Sequence, residues 1–138
     1  MYLISAYFDE NTNKILKHLQ QRIADKTGND FMIRNNVMPH LTISAIEARN
    51  IDVLIPEFEK VCRGKLQPLE EKSVANNTIN IVSLGQLFPR VIYAAPVLNE
   101  YMMNLSISIY NEFATIPETN ISKFYQPYSW MPHITLGK

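Results

Sequence analysis

Among its 138 residues the chain has a single cysteine, Cys62, so no internal disulfide can form. A chain of this length buries roughly two-thirds of its unfolded surface and needs neither a staple nor a structural metal to fold. A lone cysteine on what reads as an amphipathic helix is a small core residue, and it points to the reducing cytoplasm. No apolar run reaches the length of a membrane span, and Met1 to Ala6 carries no positively charged leader. Neither a span nor a signal peptide is therefore expected. Net charge is missing as well: thirteen basic residues cancel thirteen acidic ones. That excludes broad electrostatic capture of long nucleic acid, which needs a basic surface to displace counterions, while leaving room for a few cations around one phosphate. With no heptad pattern, a monomer is the expected state. No low-complexity stretch or linker breaks the chain, so residues 1–138 read as one domain.

Several catalytic signatures are also absent. The sequence contains no Gly-x-Ser-x-Gly elbow and no Walker loop, which removes the residues a serine hydrolase or an NTP-dependent enzyme would need. There is no Cys pair, no His-Glu-x-x-His, and no His within five residues of another, so zinc, which takes three or four protein ligands, is disfavoured and no cofactor is expected. His18, among Lys14, Lys17, Gln20 and Gln21, reads as a solvent-facing helix residue.

What is present is a repeated pair. Pro39-His40-Leu41-Thr42-Ile43 and Pro132-His133-Ile134-Thr135-Leu136 each set a His and a Thr around one apolar residue. In a strand, residues two apart share a face. Each segment would thus present an imidazole beside a hydroxyl and bury Leu41 and Ile43, or Ile134 and Leu136. The bland alternative is two unrelated strand histidines, each bonded to its neighbouring hydroxyl.

The surrounding pattern repeats too. Tyr2 to Phe8 reads as a strand, followed by caps at Asp9 to Thr12 and a helix with Ile15, Leu16, Leu19 and Ile23 on one face, ending at Gly28. Asn29 to Met38 reads as a loop into the first His strand. Asn50 and Asp52 cap a helix carrying Leu54, Phe58, Val61 and Cys62, with Pro56 in its first turns. In the second half, Lys65 to Leu69 reads as a short extended segment, Thr78 to Val82 as a half-buried strand, and Leu84 to Arg90 as a connection. Val91 to Val97 is a further strand, and Leu98, Met102, Leu105, Ile109 and Phe113 mark a helix bounded by Pro117. The loop Glu118 to Trp130 then leads into the second His strand. Two internal repeats, about 1–64 and 65–138, related by a pseudo-twofold axis, would bring both His-Thr pairs to one cleft.

Two histidines and two hydroxyls without a nucleophile suit metal-free phosphodiester chemistry. One neutral imidazole takes a proton from the attacking oxygen, and a protonated one gives a proton to the leaving oxygen. Imidazole ordinarily titrates near 6.5, so both forms exist close to neutrality. The hydroxyls can donate to the non-bridging phosphate oxygens.

The paired His-x-Thr strands, the separation of positions 40 and 133, the segment Gly85-Gln86-Leu87-Phe88-Pro89-Arg90-Val91-Ile92-Tyr93, and the ending His133-Ile134-Thr135-Leu136-Gly137-Lys138 resemble the two-histidine phosphoesterases. The closest resemblance is to the bacterial 2′-5′ RNA ligase and cyclic nucleotide phosphodiesterase branch. The resemblance implies an α+β, bilobal, duplicated fold with two antiparallel sheets lining a cleft and helices outside. It implies His40 and His133 as acid and base and Thr42 and Thr135 as phosphate holders. Lys138 stands where the family often has Arg, keeping the charge but losing the bidentate fork. Hydrolysis of a 2′,3′-cyclic phosphate would have His133 activate water and His40 protonate the leaving ribose oxygen. Members ordinarily continue past the second motif with a further helix and strand, so the sequence reads as a short member or as a chain that is cut.

The expected partner is a nucleotide or short RNA with a cyclic phosphate end or 2′-5′ linkage, and ligation is the reverse reaction. Tyr125, Tyr128 and Tyr7 are candidates to stack on a base, with Trp130 more suited to packing. Arg90 and Arg34 are candidate auxiliary cations, though solvated loop charges are the simpler reading. Two other classes compete with the phosphodiesterase. One is a catalytically idle nucleotide or RNA-end binding module using the same cleft, whose binding would survive loss of either His. The other is a metal-dependent hydrolase, whose activity chelators would abolish.

Overall fold

The computed structural model of the chain describes residues 1–66 and 78–138. The element order among them is β1 (Tyr2–Tyr7), α1 (Glu10–Thr27), α2 (Phe31–Arg34), β2 (His40–Glu47), α3 (Ile55–Val61), β3 (Ile81–Leu87), β4 (Val91–Pro96), α4 (Glu100–Phe113), β5 (Asn120–Ile121) and β6 (Ile134–Gly137). The fold is α+β, with one six-stranded antiparallel sheet ordered β1-β2-β6-β4-β3 and β5 also pairing with β2. The expected pair of sheets and duplicated lobes is not seen among the described residues. β6 inserts between β2 and β4, so the two His strands become neighbours in one sheet instead of facing each other from two.

The chain divides into two compact units, each drawing on both halves of the sequence. One contains Met1–Ile4, Ile43–Asn80 and Leu98–Met131. In it α3 packs on α4, and β5 pairs with the end of β2 through Ile46↔Ile121. Its buried side chains include Leu54, Val61, Met102, Ile109, Phe113 and Trp130. Asn50 accepts from the backbone N–H groups of Asp52 and Val53 and starts a 3-10 turn, after which α3 begins with Pro56 in its first turn. α4 is capped by the Asn99 side chain on the Met102 N–H. Residues Lys65 and Leu66 belong to a π-helical stretch, Cys62–Leu66, where an extended segment was expected. The rest of that segment lies outside the described residues.

The other unit contains Ser5–Thr42, Ile81–Val97 and Pro132–Lys138, and so holds both His-Thr motifs. α1 packs against β6. Asp9 starts this helix by accepting from the Asn11 and Thr12 N–H groups, and Gly28 ends it at φ 72°, a left-handed position that a side chain would strain. The buried stripe of the helix is Leu16 and Gln20, whereas Ile15 is 63% exposed. Gln20 earns its place by polarity, its Nε2 reaching toward the Thr135 carbonyl at 3.5 Å. His18 faces solvent. α2 interrupts the stretch read as a loop with a single helical turn. The β3–β4 hairpin pairs Leu87 with Val91, so β3 takes in Leu84 to Leu87, which the sequence pattern suggested as connection.

The Thr12 hydroxyl, ahead of its backbone N–H and that of Asn11, holds the Asp9 carboxyl below its ordinary value of 3.8. A lowered folded-state pKa contributes stability above the unfolded value, and that contribution is lost as pH falls through the folded one. Asp9→Ala should therefore lower Tm at neutral pH, with the gap closing in acid below the ordinary carboxylate range. Thermal melts of both proteins across that window check this.

Candidate functional site

β2 and β6 pair antiparallel with Leu41 opposite Ile134, the central residue of one motif against that of the other. Both are essentially inaccessible to solvent. The register then sets His40 opposite Thr135 and Thr42 opposite His133, all four half-buried on the face away from Leu41 and Ile134. Directly opposed Cβ atoms lie about 4.5–5.5 Å apart, and diagonal neighbours such as His40 and His133 about 7–8 Å apart. Each histidine thus faces the threonine of the other motif across the β2–β6 ladder. Two His-x-Thr tripeptides, paired antiparallel at their central residues, give this patch a local twofold pattern of side chains.

The edges of the patch are set by neighbouring strands. His40 Nδ1 lies 2.8 Å from the Met38 carbonyl oxygen. A carbonyl only accepts, so Nδ1 carries the hydrogen and donates it to Met38, which leaves the lone pair of the neutral ring on Nε2. The Tyr7 ring on β1 sits 6.0 Å from the His40 ring, tilted by 45°. The Ser5 hydroxyl is 3.5 Å from that of Thr42. On the other side, Tyr93 of β4 pairs with Thr135 and meets the His133 ring edge-on at 5.7 Å.

Tyr93 and Ser5 were not singled out from sequence, because each sits in an ordinary strand pattern. Gly85 carried a signal for Tyr93. It stands opposite Tyr93 in the β3–β4 ladder, and a Cβ at Gly85 would run into the Tyr93 ring and its hydroxyl. Only glycine at this position lets the ring of Tyr93, which springs from β4, lie over β3. Gly85→Ala should cost about 1–3 kcal/mol through overpacking. In a Tyr93→Ala background the same change should cost much less, a coupling that a double-mutant cycle of denaturation midpoints measures.

The remaining sequence candidates fall elsewhere. Lys138 and Arg90 do come together, but in a different cavity whose lining includes none of His40, Thr42, His133 and Thr135. The Lys138 ammonium stands 5.7 Å over the Phe31 ring, and Arg34 lines the same cavity. A register shift between Ile92 and Tyr93, beside the end of β6, interrupts the strict alternation that a motif count assumes. Tyr125, Tyr128 and Trp130 belong to the other compact unit. Trp130 is buried, Tyr128 is 84% exposed with φ +66°, and burial pushes the Tyr125 phenol up from its ordinary value.

Among the described residues, no group of three or more His, Cys, Asp or Glu side chains gathers as a metal ion requires. None of their helices is long and apolar enough to cross a membrane. No protein-family model matches the chain, and no curated protein matches it.

Proposed function

We propose that the chain is a metal-independent phosphodiesterase of the two-histidine type, acting on 2′,3′-cyclic phosphate ends or 2′-5′ linkages of RNA or small nucleotides. The observation that carries this reading is the antiparallel register Leu41↔Ile134, which sets two imidazoles and two hydroxyls on one face. In hydrolysis, His133 takes a proton from water as its oxygen attacks phosphorus. The bond from phosphorus to one ribose oxygen breaks, and His40 Nε2 gives that oxygen a proton. The His40 Nδ1–H remains on the Met38 carbonyl throughout, which keeps the ring oriented. Thr42 and Thr135 donate hydrogen bonds to the non-bridging oxygens, where charge sits in the transition state. With the 5′ hydroxyl of a second ribose in place of water, the same step, in which His133 takes the proton and His40 Nε2 protonates the released ribose oxygen, opens the cyclic phosphate into a 2′-5′ linkage and is ligation; in the reverse direction the histidines exchange roles and that linkage is cleaved.

A short RNA ending in a 2′,3′-cyclic phosphate and a 2′-5′-linked dinucleotide, each incubated with the protein in EDTA, test the reading. Ring opening to a single phosphomonoester isomer, or scission of the 2′-5′ bond, is the expected result. Turnover that appears only when a divalent ion is restored would replace it with a metal-dependent hydrolase.

A further inference from the structure

Away from the His-Thr patch, a cavity gathers three cationic side chains. It has a volume of about 500 Å³ and is lined by Asn29, Phe31, Arg34, Arg90 and Lys138, among others, with Asp30 the one acidic side chain in its wall. Its size falls within the range of small-molecule sites. The three cations come from three separate segments: Arg34 ends α2, Arg90 directly precedes β4 and Lys138 directly follows β6. Among the described residues none of the three forms an ion pair, although exposed Lys14, Lys60 and Arg63 all do. Three like charges against one carboxylate give the hollow a positive balance that favours entry of an anion.

The hollow is also braced. The Asn29 side chain accepts from the Lys138 backbone N–H at 2.8 Å and donates to the Arg90 carbonyl at 3.3 Å. It ties together two of the three backbone segments that carry the cations, those of Arg90 and Lys138. Gly137 makes the approach possible, since a Cβ there would lie 3.1 Å from Asn29 Cγ and Nδ2. The backbones that carry Arg90 and Lys138 are thus tied to one residue before any ligand arrives, which lowers the ordering cost of binding. The Phe31 ring in the wall is partly exposed, with the Lys138 ammonium above it. A flat aromatic surface beside converging cations matches a base joined to a phosphate.

We propose that this cavity is a nucleotide-binding site, in which Arg34, Arg90 and Lys138 hold the phosphate and Phe31 stacks on the base. It is separate from the His-Thr patch and does not rest on the activity proposed for it.

The test is titration of the full chain with AMP and, separately, with inorganic phosphate, followed by calorimetry and by amide chemical shifts. Arg90→Ala, Lys138→Ala, Phe31→Ala and His40→Ala are compared with the unaltered protein. All but His40 are exposed side chains, and an unchanged amide spectrum away from the cavity shows that each variant is folded. AMP should bind with shifts centred on residues 27–34, 86–92 and 138. Affinity should fall roughly tenfold or more in each cation variant and remain in His40→Ala. AMP should also bind more tightly than phosphate, an advantage lost in Phe31→Ala. The proposal is overturned by absence of saturable AMP binding, by loss of binding in His40→Ala alone, or by equal affinities for AMP and phosphate.

Discussion

Replacing either His40 or His133 with alanine is expected to lower turnover of a 2′,3′-cyclic phosphate by roughly 10²–10⁴-fold, the ordinary worth of a positioned acid or base. Both losses should be severe, because the reaction needs a proton removed at one oxygen and supplied at another. The double variant should be little worse than either single one, since two groups serving one transition state are not additive. Neither change should unfold the protein. Both imidazoles are only half-buried, and the buried partners Leu41 and Ile134 that hold the strands together stay in place. Steady-state rates beside circular dichroism of each variant check both halves of the expectation. A His40→Ala protein that kept most of its activity would remove His40 Nε2 from the chemistry.

Ile134→Ala is expected to have the largest effect on stability, about 2–5 kcal/mol. Ile134 is fully buried, pairs with Leu41 on β2, and pairs with Ala94 on β4, itself fully buried. Shortening it opens a cavity where three strands meet, with little room for a neighbour to fill it. Ile134→Val, which removes one methylene, should cost only about 0.5–1.5 kcal/mol. The same position fixes the pairing that aligns the two motifs, and a slip of one residue would turn every side chain of β6 to the opposite face. Denaturant unfolding of the two variants gives both values. A cost for Ile134→Ala no greater than that for Ile134→Val would mean that this pair does not sit at the centre of the sheet.

The local elements were largely legible. Asp9 and Gly28 bracket α1 in sequence and in structure, and the spacing of Met102, Ile109 and Phe113 marks the buried face of α4. The apolar residues of both His strands are buried as their alternation requires. Long-range pairing was not legible. A strand pattern shows which face is apolar but not which strand lies beside it, so β2 and β6 read equally well as parts of two sheets. Gln20 was missed because hydropathy ranks Ile15 above it, whereas the helix buries the residue whose amide can reach a strand carbonyl. Lys138 was grouped with the motif by its position, and its side chain instead rests over Phe31. Tyr93 became visible as part of the patch only once the ladder placed it between Gly85 and Thr135.

The most direct test of the account is the pH dependence of kcat/KM on a cyclic-phosphate RNA, recorded in EDTA from about pH 5 to 9, the span over which an acid and a base of histidine type would titrate. One neutral and one protonated imidazole working together predict a chelator-resistant, bell-shaped profile. A flat profile, or no turnover in EDTA, would contradict a two-histidine mechanism.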